Sequence, residues 1–158
     1  MSLIIQQLTQ LKTNSRELSC LSDELRQQVL LDLARRLESC ETSILAANQL
    51  DLAQMSLSDP KYDRLQLSAE RIRGRAQDLR QVAGLTSPLG RILEQRDLAN
   101  GLNLQKVAVP LGVVAVIYEA RPNVTIDVFS LCFKAGNAVV LKGGSDAWHS
   151  NQKLVELI

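Results

Sequence analysis

The sequence predicts an α/β fold in which N-terminal helices are followed by a β-hairpin and the first strands of a parallel sheet. Three observations predict it. Apolar residues recur at helical spacing from about residue 22 to residue 84. The period breaks at Pro88, and two strand-like runs then flank Asn100-Gly101. From Gly112 onward the pattern alternates between short apolar runs and helical stretches.

Ser22 is placed to cap a first helix, with Leu25, Val29, Leu30, Leu33, Ala34 and Leu37 on one face. A second helix covers Glu41 to Met55, with Ile44, Leu45, Asn48, Leu52 and Met55 in similar register. Ser56 to Pro60 reads as a loop, because Ser, Asp and Pro favour turns. Ser68 caps a third helix carrying Ile72, Ala76, Leu79 and Ala83, and Gly84 can stop it. Arg91 to Arg96 and Leu102 to Val109 read as strands joined by a tight Asn100-Gly101 turn at positive φ, although the second strand alternates poorly. Gly112 to Tyr118 reads as a strand buried on both faces. Asn123 or Thr125 can cap a short helix through Lys134, which Gly136 ends. Ala138 to Lys142 is a second buried strand, and a helix begins near Asp146 after Gly143-Gly144-Ser145. Strand, helix, strand, glycine turn and helix form a right-handed crossover unit.

With 158 residues the chain suits one ordinary domain or part of a larger one. Its 46% hydrophobic and 22% charged content is that of a soluble globular protein. Lys plus Arg number 18 against 17 acidic residues, so no overall field draws the chain to nucleic acid or anionic lipid. The longest apolar run, Val113 to Tyr118, is too short to span a bilayer, and residues 1 to 12 lack the pattern of a signal peptide. Cys20, Cys40 and Cys132 have neither metal-ligand nor CxxC spacing, which fits reduced thiols in a cytoplasm. The helical pattern is still running at Ile158, and a two-strand sheet with one crossover cannot cover both faces of its strands, so the sequence reads as an incomplete domain.

The chemistry concentrates in Tyr118 to Asp127, YEARPNVTID, and Ser130 to Gly144, SLCFKAGNAVVLKGG. The first segment joins the end of a buried strand to a helix start, the edge of an open α/β sheet where ligands sit. It brings Glu119, Arg121 and Asn123 to that edge, with Pro122 fixing the turn. Arg121 is suited to an anion, but an ion pair with Glu119 or Asp127 would equally shape the loop. Lys142-Gly143-Gly144-Ser145 is either a cofactor contact or only a tight strand-to-helix connection. The chain has no GxGxxG, so an ordinary dinucleotide fingerprint is absent. Cys132 lies in an apolar helical run with no base beside it, so it reads as packing, as do Cys20 and Cys40. His149 reads as the polar face of the last helix.

The run VPLGVVAVIYEARPNVTIDVFSLCFKAGNAVVLKGG resembles the signature region of the γ-glutamyl phosphate reductases (glutamate-5-semialdehyde dehydrogenases) of the aldehyde dehydrogenase superfamily. Upstream, ILAANQLDL, YDRLQLSAERI, LRQVAGLTSPLG and NGLNL resemble the same family in the same order. The resemblance covers nearly the whole chain. It implies an aldehyde dehydrogenase-like fold, with residues 1–158 forming the N-terminal part of an NADP-binding domain. Residues 1–87 would be its helices, 88–110 its hairpin and 111–158 the start of a βαβ unit, with the catalytic domain outside the chain.

The implied reaction is NADPH-dependent reduction of L-glutamate 5-phosphate to L-glutamate 5-semialdehyde with release of phosphate, a step of proline synthesis in the cytoplasm. A cysteine thiolate would attack the acyl phosphate, but in the family that cysteine lies beyond Ile158. Asn123 matches an asparagine that donates to the developing oxyanion, against the alternative of a plain helix N-cap. Lys142, Gly143, Gly144 and Ser145 match the cofactor segment. Ser145 stands where NAD-preferring members often carry an acid, which agrees with NADPH, although Asp146 is adjacent. Glu119 and Arg121 are the candidate substrate contacts. No metal is implied. Further copies of the chain, through the hairpin, and glutamate 5-kinase are the implied protein partners. Ala108 departs from the arginine common at that position. Two rival readings remain: a nucleotide- or phosphate-binding module without catalysis, and an interaction protein that works through its helices.

Overall fold

The computed structural model describes residues 3–158. Seven α-helices, a 3-10 turn at Ser145–Ala147 and four strands are present among these residues. Helix α1 spans Leu3–Ser19, α2 Asp23–Ser39, α3 Glu41–Leu52, α4 Tyr62–Leu65 and α5 Ala69–Gly84. The hairpin strands are β1, Ile92–Asp97, and β2, Asn103–Val107. Strand β3, Val113–Ile117, helix α6, Asn123–Lys134, strand β4, Ala138–Lys142, and helix α7, Trp148–Val155, complete the chain.

Two of the expected caps form as drawn. Ser22 Oγ accepts from the Leu25 amide at 3.2 Å, and Ser68 Oγ accepts from the Arg71 amide at 3.1 Å. Behind these caps, Leu30, Leu33, Ala34 and Leu37 of α2 pack with Ile72, Ala76, Leu79 and Ala83 of α5. Ile44 of α3, Ile126 and Phe133 of α6 and Leu154 of α7 join the same core. The helices therefore pack onto the βαβ segment and do not form a separate unit. Lys134, at the end of α6, is buried and donates to Asp23 at 2.8 Å and to the Ala83 carbonyl at 3.1 Å, tying α6 to the start of α2 and the end of α5.

The structure corrects several expectations. Residues 3–19 form a helix that periodicity did not signal, and α3 ends at Leu52, three residues before Met55. The hairpin does not turn on two residues. Gly101 donates its amide to the Leu98 carbonyl at 2.9 Å, and Leu98 donates to the Leu102 carbonyl at 2.8 Å. Gly101 has φ +82 while no non-glycine residue among those described has positive φ, so Asn100 does not take the conformation that a two-residue turn needs. This is the three-residue loop whose last position is left-handed, which is why glycine stands there.

Neither Asn123 nor Thr125 caps α6 through its side chain, because Pro122 holds the cap position and Asn123 is already helical. The other end forms as expected: Asn137 donates to the Cys132 carbonyl at 2.8 Å and Gly136 to the Phe133 carbonyl at 2.9 Å, a paired stop with Gly136 at φ +71.

Strands β3 and β4 pair in parallel, from Val113 opposite Ala138 to Ile117 opposite Lys142. They were expected to be buried on both faces, but β3 alternates between half-buried and exposed, and Ile117 is 83% exposed. Helix α6 and α1 pack against this sheet, and among the described residues only two strands share it. The hairpin is a separate two-stranded sheet whose strand residues are all exposed. No helix among the described residues is long and apolar enough to cross a membrane.

Candidate functional site

Parallel pairing with Ile117 opposite Lys142 puts the C-terminal ends of both strands together, and Tyr118 donates its amide to the Lys142 carbonyl at 3.1 Å. The loop after Tyr118 and the turn after Lys142 therefore open at one sheet edge. The contact is close: a Cβ on Gly144 would lie 3.4 Å from the Glu119 carbonyl carbon. A Cβ on Gly143 would collide with the Asn151 side-chain amide, so any larger residue there would require Asn151 to move.

A groove of about 520 Å³ opens there between the turn and α7, lined by Lys142, Gly143, Gly144, Ser145, Trp148 and Asn151 among others. One wall is a hydrogen-bonded relay. Tyr118 Oη lies 2.6 Å from Thr125 Oγ1, which donates to Asn151 Oδ1 at 2.9 Å. With the threonine proton spent on Asn151, the tyrosine is the donor of the first bond. The relay fixes a β3 end, an α6 residue and an α7 residue to one another.

Lys142 is exposed and donates Nζ to the Gly143 carbonyl at 3.1 Å, so its cation faces solvent at the groove without an acidic partner among the described residues. Ser145 is exposed beside it. Asp146, the adjacent acid, is engaged elsewhere, with Oδ2 3.4 Å from Lys61 Nζ. The groove thus offers a cation, a hydroxyl, close-set backbone and the flat face of Trp148, a donor set that suits a phosphorylated ribose with its base.

The remaining candidates scatter around that edge. Glu119 and Arg121 are exposed. The expected ion pair with Asp127 does not form, because Asp127 meets Arg75 at 3.2 Å across the α5–α6 contact. Burial pushes the Asp127 carboxyl up from its ordinary value, against the pull of Arg75. Asn123 does not line the groove. It borders a small cleft with Leu37, Ile72 and Arg75. Cys132 is half-buried and burial raises its thiol above the ordinary value, the opposite of what a nucleophile needs. Cys20 is exposed, so the expectation that it packs is wrong, and Cys40 is half-buried. No cluster of His, Cys, Asp and Glu that could hold a metal occurs among the described residues.

Sequence reasoning missed the polar residues beneath the groove. Asn48 and Asp51 of α3 are buried and reach the first turn of α7. A signal was present: Asn48 sits in an otherwise apolar helical register, and a buried amide must be hydrogen-bonded.

No family model matches the chain. It is 56% identical over 155 residues to a γ-glutamyl phosphate reductase from Chlorobium phaeobacteroides, covering 98% of this chain and 37% of that protein. It is 54% identical over 144 residues to one from Bacteroides thetaiotaomicron, covering 91% of this chain and 34% of that one. The crystal structure of the γ-glutamyl phosphate reductase of Thermotoga maritima superposes with a TM-score of 0.93 at 29% identity, over 99% of this chain and 38% of that one. A probable aldehyde dehydrogenase from Listeria monocytogenes shares the fold, with a TM-score of 0.68 at 16% identity over 97% of this chain and 32% of that one. The chain spans a little over a third of the length of the curated relatives it matches.

Proposed function

We propose that this chain, similar over almost its whole length to γ-glutamyl phosphate reductases, works as the cofactor-facing part of such an enzyme. The reaction is NADPH-dependent reduction of L-glutamate 5-phosphate to L-glutamate 5-semialdehyde with release of phosphate, in proline synthesis in the cytoplasm. NADPH, once bound, supplies the reducing equivalents. The observation that carries the reading is the groove at the shared end of β3 and β4, where Lys142 presents an unpaired cation beside close-set glycines.

In this reading residues 1–158 are the N-terminal part of the NADP-binding domain. Lys142 meets the 2′-phosphate of the adenosine ribose as a point charge, Ser145 donates to it, and Gly143 and Gly144 let the backbone approach. The salt bridge of Asp146 to Lys61 supports the phosphorylated cofactor, since it holds the neighbouring carboxylate on another partner. Trp148 gives the base an apolar face. Glu119 and Arg121, exposed at the same edge, orient the substrate, with Arg121 placed for its phosphate or α-carboxylate. Asn123 opens α6, and its amide is unspent on any described residue, which supports its donating to the oxyanion when the acyl group is attacked. The attacking thiolate comes from outside these residues, because the raised thiol of Cys132 is a poor nucleophile. The exposed hairpin, with Leu93, Leu104 and Val107 open, supports self-association, and glutamate 5-kinase is the proposed upstream partner.

The test is titration of the chain with NADPH and NADH, followed through Trp148, the sole tryptophan. NADPH should bind tighter than NADH, and Lys142→Ala should weaken NADPH by about tenfold, the scale of one charge-assisted contact, while leaving NADH nearly unchanged. Equal affinity for the two cofactors, or no effect of Lys142→Ala, would refute the cofactor assignment.

A further inference from the structure

The groove's position depends on residues far from it in sequence. Asp51, 3% exposed on α3, spends both carboxylate oxygens on the first turn of α7. Oδ1 accepts the His149 amide at 2.9 Å, while Oδ2 accepts the Ser150 amide at 2.8 Å and the Ser150 hydroxyl at 2.6 Å. One turn back on α3, Asn48 is fully buried. Its amide donates to Ser150 Oγ at 3.0 Å and to the Leu65 carbonyl at 2.9 Å, and its Oδ1 accepts the Leu67 amide at 2.8 Å.

We infer that Asn48 and Asp51 form a positioning clasp for the dinucleotide groove, holding the first turn of α7 so that Trp148 and Asn151 face the Lys142–Ser145 turn. This rests on the cofactor reading above. The physical reason lies in how α7 begins. Its cap position, Ala147, has no side-chain oxygen; the Trp148 amide reaches back to the Ser145 carbonyl, but no local side chain caps the amides of His149 and Ser150 that follow. A buried carboxylate does so from another helix, and its charge also complements the positive end of α7.

The consequence reaches the groove in two steps. His149 and Ser150 are flanked by Trp148 and Asn151, both on the groove wall, so anchoring the pair fixes the wall. Asn151 then accepts from Thr125 and sits in the space that a side chain on Gly143 would need. Releasing α7 frees the indole, loosens the relay to Tyr118 and lets the gap beside Gly143 vary. There is a second consequence for ligand choice. The amides of His149 and Ser150 are already committed to Asp51, so an anion in the groove gains nothing from them. Its phosphate must rely on Lys142 and Ser145.

Asp51→Asn keeps the shape but sets an amide against three donors where a carboxylate stood. Amide exchange at His149 and Ser150 should speed up, and Trp148 emission should shift and become more accessible to acrylamide. NADPH affinity should fall by about tenfold, the loss expected when one charge-assisted anchor goes. Ser150→Ala, which removes only the hydroxyl contacts and leaves both amides bonded, should move the same readouts less while the far-ultraviolet spectrum stays native. It keeps the question answerable if Asp51→Asn does not fold. A native spectrum with unchanged exchange, emission and quenching in the folded variants would overturn the clasp, whatever the cofactor. Failure of the unsubstituted chain to bind NADPH would instead overturn the cofactor reading, with the exchange and emission data still deciding the clasp. Altered exchange and emission with unchanged NADPH affinity would reduce the pair to a helix cap and overturn its role in the groove.

Discussion

The helical core and the hairpin are built from similar residues and meet opposite fates. Leu30, Leu37, Ile44 and Leu79 have 1% or less of their surface exposed, whereas Ile92, Leu93 and Leu104 of the hairpin are each about half exposed. Apolar content is not what separates them. The core residues recur at three and four along helices that have neighbours on that side, so each face is met by another. Among the described residues the hairpin strands pair only with each other, and a two-stranded ribbon has no second layer to cover its faces. The difference teaches that burial in this chain follows from the number of layers an element meets, not from its hydropathy.

The largest expected effect tests that contrast directly. Leu37→Ala removes a side chain that is 1% exposed in the shared core and should destabilise the chain by about 3 kcal/mol, including the cavity left behind. Leu104→Ala, 54% exposed, should change stability by no more than about 0.5 kcal/mol. Urea denaturation followed by circular dichroism measures both. Comparable losses for the two would mean that the hairpin is covered in solution, as self-association through it would require, and dilution should then abolish the cost of Leu104→Ala.

The contrast also explains what could be read in advance. The faces of α2 and α5 were legible because a helix that buries one side shows it as a period, and Ser22 and Ser68 announced their starts. The edge shared by Tyr118 and Lys142 was legible too, since two apolar runs joined by a short helix pair in parallel. Helix α1 was not, because Leu3, Ile4 and Leu8 stay exposed and Gln and Thr interrupt them, leaving a face too weak to mark a period. The Asn48–Asp51–Ser150 contacts were hidden for another reason. Their partners lie about 100 residues apart, and no local pattern reports such a distance. The cap expected of Asn123 failed because Pro122 took that position first.

A middle-sized effect belongs to Lys134, the cation within the core side of the comparison. Its ammonium is almost fully buried, with Asp23 and the Ala83 carbonyl as partners, while Asp23 itself stays partly exposed. Lys134→Met keeps much of the apolar stem but strands the Ala83 carbonyl and removes the pair, which should cost about 2 kcal/mol. Lys134→Arg should recover part of this only if the larger fork fits. Thermal melts of the two variants, with Asp23→Asn alongside, measure the coupling. Full tolerance of Lys134→Met would show that the buried cation is replaceable by packing.

A thiol-labelling series separates the exposed and half-buried regions without any substitution. Cys20 is exposed, and Cys132 is half-buried with its thiol raised by burial. Iodoacetamide at mildly alkaline pH should therefore modify Cys20 first and Cys132 last, read by mass spectrometry of the peptides. Faster labelling of Cys132 than of Cys20 would contradict both its burial and the direction of its shift.

The smallest effect comes from two acids that each face an arginine of α5. Arg80 meets Glu38 at 2.6 Å on the outside of the α2–α5 contact, and its hydrogen bond lowers the Glu38 carboxyl below the ordinary value. Arg75 meets Asp127 at 3.2 Å, yet desolvation there outweighs the arginine and the Asp127 carboxyl is raised. The signs follow from linkage. Glu38 favours the folded state above its unfolded value, and this contribution is lost as pH falls through its lowered folded value. Asp127 binds its proton more readily when folded, so it favours the folded state below its unfolded value and loses that contribution as pH rises through its raised one. Arg80→Gln should therefore blunt the acid-side fall in stability, whereas Asp127→Asn should flatten the fall that comes as pH rises above the ordinary aspartate range. Both changes should be small, because solvent and salt screen the Glu38–Arg80 pair and the Arg75–Asp127 pair, though partly desolvated, keeps more than a third of each side chain exposed. Urea midpoints between about pH 3 and pH 7, bracketing the ordinary carboxylate range, measure them. If Asp127→Asn instead blunted the loss toward acid, as Arg80→Gln should, the arginine and not desolvation would govern that site, and the two sides of α5 would be electrostatically alike.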